Sequence, residues 1–386
     1  MKPLRILADS NMRGVEAYFG PLGSVQFSEG RNIVAGDLTH TDVLLVRSVT
    51  AVNESLLQGT AVKFVGTATS GFDHVDTDYL ARNNIGFSHA PGSNANSVVE
   101  FVFAAISAMD GKLESLLAGQ ALGIIGYGNI GRALVKLCEQ LSISFVVYDP
   151  WLEEGLVPNP ASLAQVLACS VITVHTSLTR ESPWPSYHLI DDEALRQISE
   201  HSLLINASRG EVVDNSALLR LRSSGLGPSC VLDVWEGEPN VSTALLDVTQ
   251  LGSAHIAGYS FESKFLATRM LLEAVTAHFS LNAQTADLHT SIPQDVELSV
   301  PPELEFADLL RWAFSARYNI LEDDRLLRTA ATDTQTPIAA GFDGLRKSYR
   351  IRRELRGSAV SLNRQASQSQ LHLMKALGCL ISQAGD

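Results

Sequence analysis

The run Ala121-Leu122-Gly123-Ile124-Ile125-Gly126-Tyr127-Gly128-Asn129-Ile130-Gly131-Arg132-Ala133-Leu134-Val135 decides the fold. It opens as a short apolar strand and closes as a helical pattern, and between them three glycines stand in the G-x-G-x-x-G spacing. In that setting each glycine has a reason: Gly126 for the tight turn, Gly128 for backbone approach to a pyrophosphate, Gly131 for close packing of helix on strand. The helix amino end, at Asn129, Ile130 and Gly131, then offers N–H groups and a partial positive charge to a diphosphate. The next apolar run, 145–148, ends in Asp149, eighteen residues beyond Gly131. A carboxylate there accepts hydrogen bonds from the ribose hydroxyls of an adenosine. It also repels a 2′-phosphate, and Pro150 and Trp151 follow it where an arginine would be needed, so the expected cofactor is NAD rather than NADP.

Outward from this motif the chain alternates strands and helices. Near-continuous Val/Ile/Leu runs at 122–125, 145–148, 171–174, 203–206 and 230–234 predict a parallel sheet covered on both faces. A weaker series before it, at 4–8, 43–46, 62–66 and 85–87, predicts a first small α/β lobe. Helical spacing over 96–109 leads out of that lobe, and a second amphipathic stretch over 261–279 returns the chain to it. Residues 286–302, rich in Pro, Thr, Ser and Asp, predict a linker, and 303–386 a separate small α/β segment whose last thirty residues carry no readable pattern.

Composition narrows the class. A chain of 386 residues, 45% hydrophobic, can bury a large core and divide into two or three domains. The formal net charge of −13 argues against affinity for nucleic acid or an anionic membrane. No apolar run suits a signal peptide or a membrane span, so the cytoplasm is expected. Cys138, Cys169, Cys230 and Cys379 lie far apart, which supports neither a disulfide framework nor a zinc site, and no metal is expected. Against the acidic trend, residues 341–360 hold Arg346, Lys347, Arg350, Arg352, Arg353 and Arg356, either a solvated helix face or a phosphate-facing surface.

Three downstream segments hold the groups that hydride transfer at a 2-hydroxy acid requires. Arg209, in Asn206-Ala207-Ser208-Arg209-Gly210, follows a strand and can pair with a carboxylate while polarising the oxygen on C2. His255, in Ser253-Ala254-His255-Ile256-Ala257-Gly258-Tyr259, can take the hydroxyl proton as hydride leaves. Leu232-Asp233-Val234-Trp235-Glu236-Gly237-Glu238-Pro239 offers three carboxylates, of which Glu238 is the natural partner for the histidine ring.

With these motifs, residues 1–280 resemble the D-2-hydroxyacid dehydrogenase family. The resemblance implies that Arg209, Glu238 and His255 are the substrate-binding and acid/base residues. It also implies a Rossmann-type nucleotide domain at 96–257 and a flavodoxin-like split substrate domain at 1–95 and 258–285. Within the family the chain is most similar to a member that acts on a phosphorylated hydroxy acid, on Asp9-Ser10-Asn11-Met12, residues 45–50, 64–69 and 255–259, and Phe342-Asp343-Gly344-Leu345-Arg346-Lys347. That likeness implies substrate contacts at Ser48, Thr69 and Tyr259, cofactor contacts at Asp149, Thr176, Asp233 and Gly258, and a carboxy-terminal domain at 303–386 that makes a homodimer. Arg47 and Arg346 are the expected ligands of the substrate phosphate. A dehydrogenase of another acid, such as 3-phosphoglycerate, and a catalytically silent NAD-sensing dimer are the competing readings.

Overall fold

The computed structural model describes residues 3–281, 296–363 and 366–383; much of the expected linker therefore lies outside the described residues. Contacts divide the chain into two compact units, Met1–Asn94 with Ser260–Asp295, and Ala95–Tyr259 with Val296–Asp386.

The first unit is a five-stranded parallel sheet built from β1 (Leu4–Asp9), β2 (Gly23–Ser28), β3 (Val43–Val46), β4 (Phe64–Thr67) and β5 (Gly86–His89). Their order, β2-β1-β3-β4-β5, is flavodoxin-like. The helix Phe261–His278 lays Leu271, Leu272 and Val275 on Ile6, Val43, Leu45 and Phe64. β2 escaped the sequence reading because it is an edge strand, Gly-Ser-Val-Gln-Phe-Ser, with little buried apolar surface to give it a period.

The second unit carries the glycine motif in a six-stranded parallel sheet. Its strands are β6 (Leu122–Ile125), β7 (Phe145–Tyr148), β8 (Val171–Val174), β9 (Leu203–Asn206), β10 (Ser229–Leu232) and β11 (Leu251–Gly252). The order is β11-β10-β9-β8-β6-β7. The chain leaves β6 for β7 on one side and returns to β8 on the other, so a crevice opens at the carboxyl ends of β6 and β8, where open α/β sheets bind ligands. The expected strands are present to within a few residues. β11, two residues long, was not foreseen.

The terminal segment adds a third sheet, β12 (Leu298–Ser299), β13 (Ala359–Leu362) and β14 (Leu380–Gln383), in parallel order β12-β13-β14, with the helix Gln368–Ala376 between the last two. Its core is continuous with that of the nucleotide sheet's helices: Phe314 stacks on Phe103 at 5.3 Å, and Leu309, Leu310, Leu373 and Met374 share one buried cluster with Phe101 and Leu134. The basic stretch is not simply a solvated face. Arg352 is 2% exposed, donates to the carbonyls of Ala257 (3.1 Å) and Ser97 (2.7 Å), and lies over the Tyr318 ring.

Candidate active site

The nucleotide end of the site follows from backbone geometry. Gly126 has φ +97°, and a Cβ on Gly131 would stand 2.1 Å from the Gly126 carbonyl oxygen, so the turn and the helix Asn129–Leu141 can close on β6 only with glycine at both. A Cβ on Gly128 would meet nothing within 4 Å. That open space, at the amino end of a helix, fits a pyrophosphate held by the N–H groups of Asn129 and Ile130. Asp149 directly follows β7 and is oriented by two backbone donors, Tyr127 N–H at 2.8 Å and Trp151 N–H at 3.1 Å. Thr176 follows β8, its hydroxyl donating to the Ser177 carbonyl.

The chemical end is built from the ends of β9, β10 and β11. After β9, Asn206 accepts from the N–H and hydroxyl of Ser208 and donates to the Arg209 carbonyl, while Arg209 Nη1 donates to the Ser208 carbonyl at 2.8 Å. This hairpin-like turn lies against the loop after β10, since a Cβ on Gly210 would come within 2.1 Å of the Trp235 backbone.

The three carboxylates after β10 separate into three tasks. Asp233, 1% exposed, accepts from the Ser253 hydroxyl (2.6 Å) and from the N–H groups of Ile256 (2.8 Å) and Ala257 (2.9 Å), and so pins the loop that carries His255. Burial raises its carboxyl despite these donors. Glu236 turns to His188 (2.6 Å) and to the Asn215 N–H (3.0 Å). Glu238 meets His255, Oε2 to Nδ1 at 2.7 Å, with Oε1 held by the Trp235 N–H at 2.9 Å. Burial alone would raise the Glu238 carboxyl, but His255, the Trp235 N–H and Arg346 together bring it below the ordinary carboxylate range. It therefore faces the imidazole as an anion. With Nδ1 so engaged, Nε2 of a one-third exposed side chain is the atom that can exchange a proton with a substrate.

The structure also brings Arg346 to this centre within one chain. Its guanidinium lies 5.8 Å from the centre of the Tyr259 ring and interacts with the Tyr259 hydroxyl and Glu238. In the first unit, Arg47 Nε is 3.0 Å from Asp9 Oδ2, Ser48 is exposed beside it, and the Thr69 hydroxyl bonds Thr67 and the Gly71 carbonyl.

A model of the D-isomer specific 2-hydroxyacid dehydrogenase NAD binding domain matches residues 100–257, and one described as a domain of unknown function matches 288–378. The erythronate-4-phosphate dehydrogenase of Cellvibrio japonicus is 40% identical over 380 residues, 97% of this chain and 99% of that one. The chain belongs to the erythronate-4-phosphate dehydrogenase family. The enzyme of that name from Klebsiella pneumoniae is 41% identical over 97% of this chain and 98% of its own. Among solved structures, the NAD⁺-bound 3-phosphoglycerate dehydrogenase of Entamoeba histolytica superposes with a TM-score of 0.62 at 20% identity, covering 72% of this chain and 96% of that one. The D-lactate dehydrogenase of Aquifex aeolicus, complexed with NAD and lactic acid, gives 0.60 at 23%, over 72% and 96%. These two likenesses concern the fold. Membership of the family makes the chain an NAD-dependent dehydrogenase with a Rossmann-type nucleotide sheet.

Sequence reasoning assigned no role to Arg13, in the turn after β1, or to Lys264, the fourth residue of the helix that begins at Phe261.

Proposed function

We propose that this chain oxidises 4-phospho-D-erythronate to 3-hydroxy-2-oxo-4-phosphooxybutanoate, in the route to pyridoxine and pyridoxal 5′-phosphate. The hydrogen-bonded pair of His255 and Glu238 at 2.7 Å carries this reading, in a chain that keeps Arg209 and the glycine turn as well. Arg209 binds the substrate carboxylate and draws electron density from the C2 oxygen. His255 Nε2 accepts the C2 hydroxyl proton as the C2–H bond breaks, and Glu238 fixes the ring's tautomer and balances the imidazolium. The nicotinamide of bound NAD supplies the hydride acceptor. Asn129, Ile130, Asp149, Thr176 and Gly258 hold that cofactor, while Asp233 acts through the loop it pins. Ser48, Thr69 and Tyr259 contact the substrate, and Arg47 and Arg346 its phosphate.

In this reading residues 1–95 and 258–285 are the substrate domain, 96–257 the nucleotide domain, 286–302 a linker and 303–386 a terminal domain that forms a homodimer. The working compartment is the cytoplasm, and neither nucleic acid nor membrane is a partner. Among the described residues no helix is long and apolar enough to cross a membrane. Initial rates of NADH formation with 4-phospho-D-erythronate, 3-phosphoglycerate and D-lactate test the substrate. The expected kcat/KM for the first exceeds the others at least a hundredfold, as a site built to pair a polar group rejects substrates that leave it unpaired. Equal or greater efficiency with either competitor contradicts the reading.

A further inference from the structure

The first unit gathers three cations that the chemistry at His255 does not use. Arg13 lies in the turn after β1, Arg47 directly after β3, and Lys264 near the start of the helix Phe261–His278. One buried carboxylate fixes Arg47 and the turn that carries Arg13. Asp9, 0% exposed, binds Arg47 Nε at 3.0 Å through one oxygen, and through the other accepts the Asn11 N–H at 2.8 Å, holding the turn that carries Arg13. The same turn is fastened to the helix: the Thr268 hydroxyl reaches the carbonyls of both Arg13 (2.7 Å) and Lys264 (3.1 Å), and a Cβ on Gly14 would come within 2.9 Å of the Phe265 ring. Three separate segments are thus locked so that Arg13, Arg47 and Lys264 share one region at the carboxyl edge of the sheet, the edge that also presents Ser48 and Thr69.

Burial first, and then the charges of Arg13 and Arg47, lower the Lys264 ammonium to about 8. A multiply charged anion beside these cations favours the charged ammonium and offsets the cost of burying it, in a chain whose net charge is otherwise −13.

We propose that Arg13, Arg47 and Lys264 form a phosphate-recognition site in which Lys264 sets the preference for a 4-phosphorylated acid over its unphosphorylated counterpart. This rests on the substrate reading above and extends it from Arg47 to two residues distant in sequence. The test compares initial rates at pH 7.5 with 4-phospho-D-erythronate and D-erythronate for the wild type, Lys264→Gln, Lys264→Arg and Arg13→Gln, with inorganic sulfate as competitor. In Lys264→Gln the ratio of kcat/KM values, phosphorylated over unphosphorylated, falls roughly tenfold or more through KM, as expected for one lost charge-assisted contact. The inhibition constant of sulfate rises with it. Lys264→Arg keeps most of the ratio, which a purely structural lysine would not require. Arg13→Gln, at an exposed side chain whose loss leaves the fold intact, lowers the ratio severalfold and decides the matter alone if Lys264→Gln does not fold. A wild-type preference that survives in both Arg13→Gln and Lys264→Gln overturns the site and leaves the substrate reading standing. A wild type with no preference overturns the substrate reading itself, and the site with it.

Discussion

His255 holds a backbone φ of +54°, a left-handed conformation that a residue with a Cβ adopts at some cost. The structure supplies what offsets it: the His255 N–H donates to the Asp233 carbonyl at 2.7 Å, and the Asp233 carboxylate takes the next two N–H groups in the chain. The ring is thereby placed by backbone before Glu238 orients it. Replacing His255 with Ala removes the proton acceptor while leaving the nucleotide turn untouched. The expected fall in kcat is about 10² to 10⁴-fold, with the NAD dissociation constant within about twofold of wild type because no assigned NAD contact is lost. Glu238→Gln keeps a hydrogen bond to the ring but no charge to balance the imidazolium, so its kcat falls by less. Stopped-flow rates and fluorescence titration of NAD read both effects; an unchanged kcat in His255→Ala removes the histidine from the mechanism. At this scale the sequence was informative where chemistry is local. Arg209, Glu238 and His255 each sit in a short distinctive run. Glu238 was also the expected partner of His255; what the sequence could not show was that Asp233 pins the loop carrying His255 and that Glu236 turns to His188, since those pairings span 20 and 48 residues.

Among elements, the strands most legible in sequence were β6, β8 and β9, because a parallel strand buried on both faces is a continuous apolar run. The terminal sheet was opaque for the opposite reason. β12 has two residues and pairs with β13 some sixty residues later, so no local pattern announces it. The helix Ala95–Ser107 shows how that segment is joined to the nucleotide sheet. Its Glu100 is 4% exposed and faces Glu354, with the Asn96 side chain bridging the two carboxyls at 3.0 and 2.8 Å and the Leu355 N–H donating to Glu100 at 2.8 Å. Burial, then the Glu354 charge, push the Glu100 carboxyl up to about 8, against Arg352, the Leu355 N–H and Asn96. A folded value above the ordinary 4.5 means that the folded state binds the proton more tightly. This contribution to stability is full below about 4.5, falls as pH rises, and is gone above about 8. Glu100→Gln mimics the protonated form. Its melting temperature between pH 6 and 8.5 is expected to decline less than that of the wild type, by roughly 3 °C or more. Parallel curves in thermal unfolding at these pH values contradict the assignment.

For the whole molecule, each compact unit has its own parallel sheet: one holds the nucleotide turn and the His255–Glu238 pair, the other holds Arg47, Ser48 and Thr69 at its carboxyl edge. The glycine motif and the alternation of strands made both sheets readable in outline. Lys264 gave no signal in the sequence, because the Arg13 and Arg47 charges that act on it come from segments more than two hundred residues away. In the proposed reaction hydride leaves C2 of 4-phospho-D-erythronate for NAD while His255 takes the hydroxyl proton. It is tested most directly by mass spectrometry of the reduced cofactor after turnover of substrate carrying deuterium at C2. One deuterium is expected in each reduced cofactor formed, and with His255→Ala the same label at a rate lower by about 10² to 10⁴-fold. Reduced cofactor without deuterium, or label released to water, would contradict it.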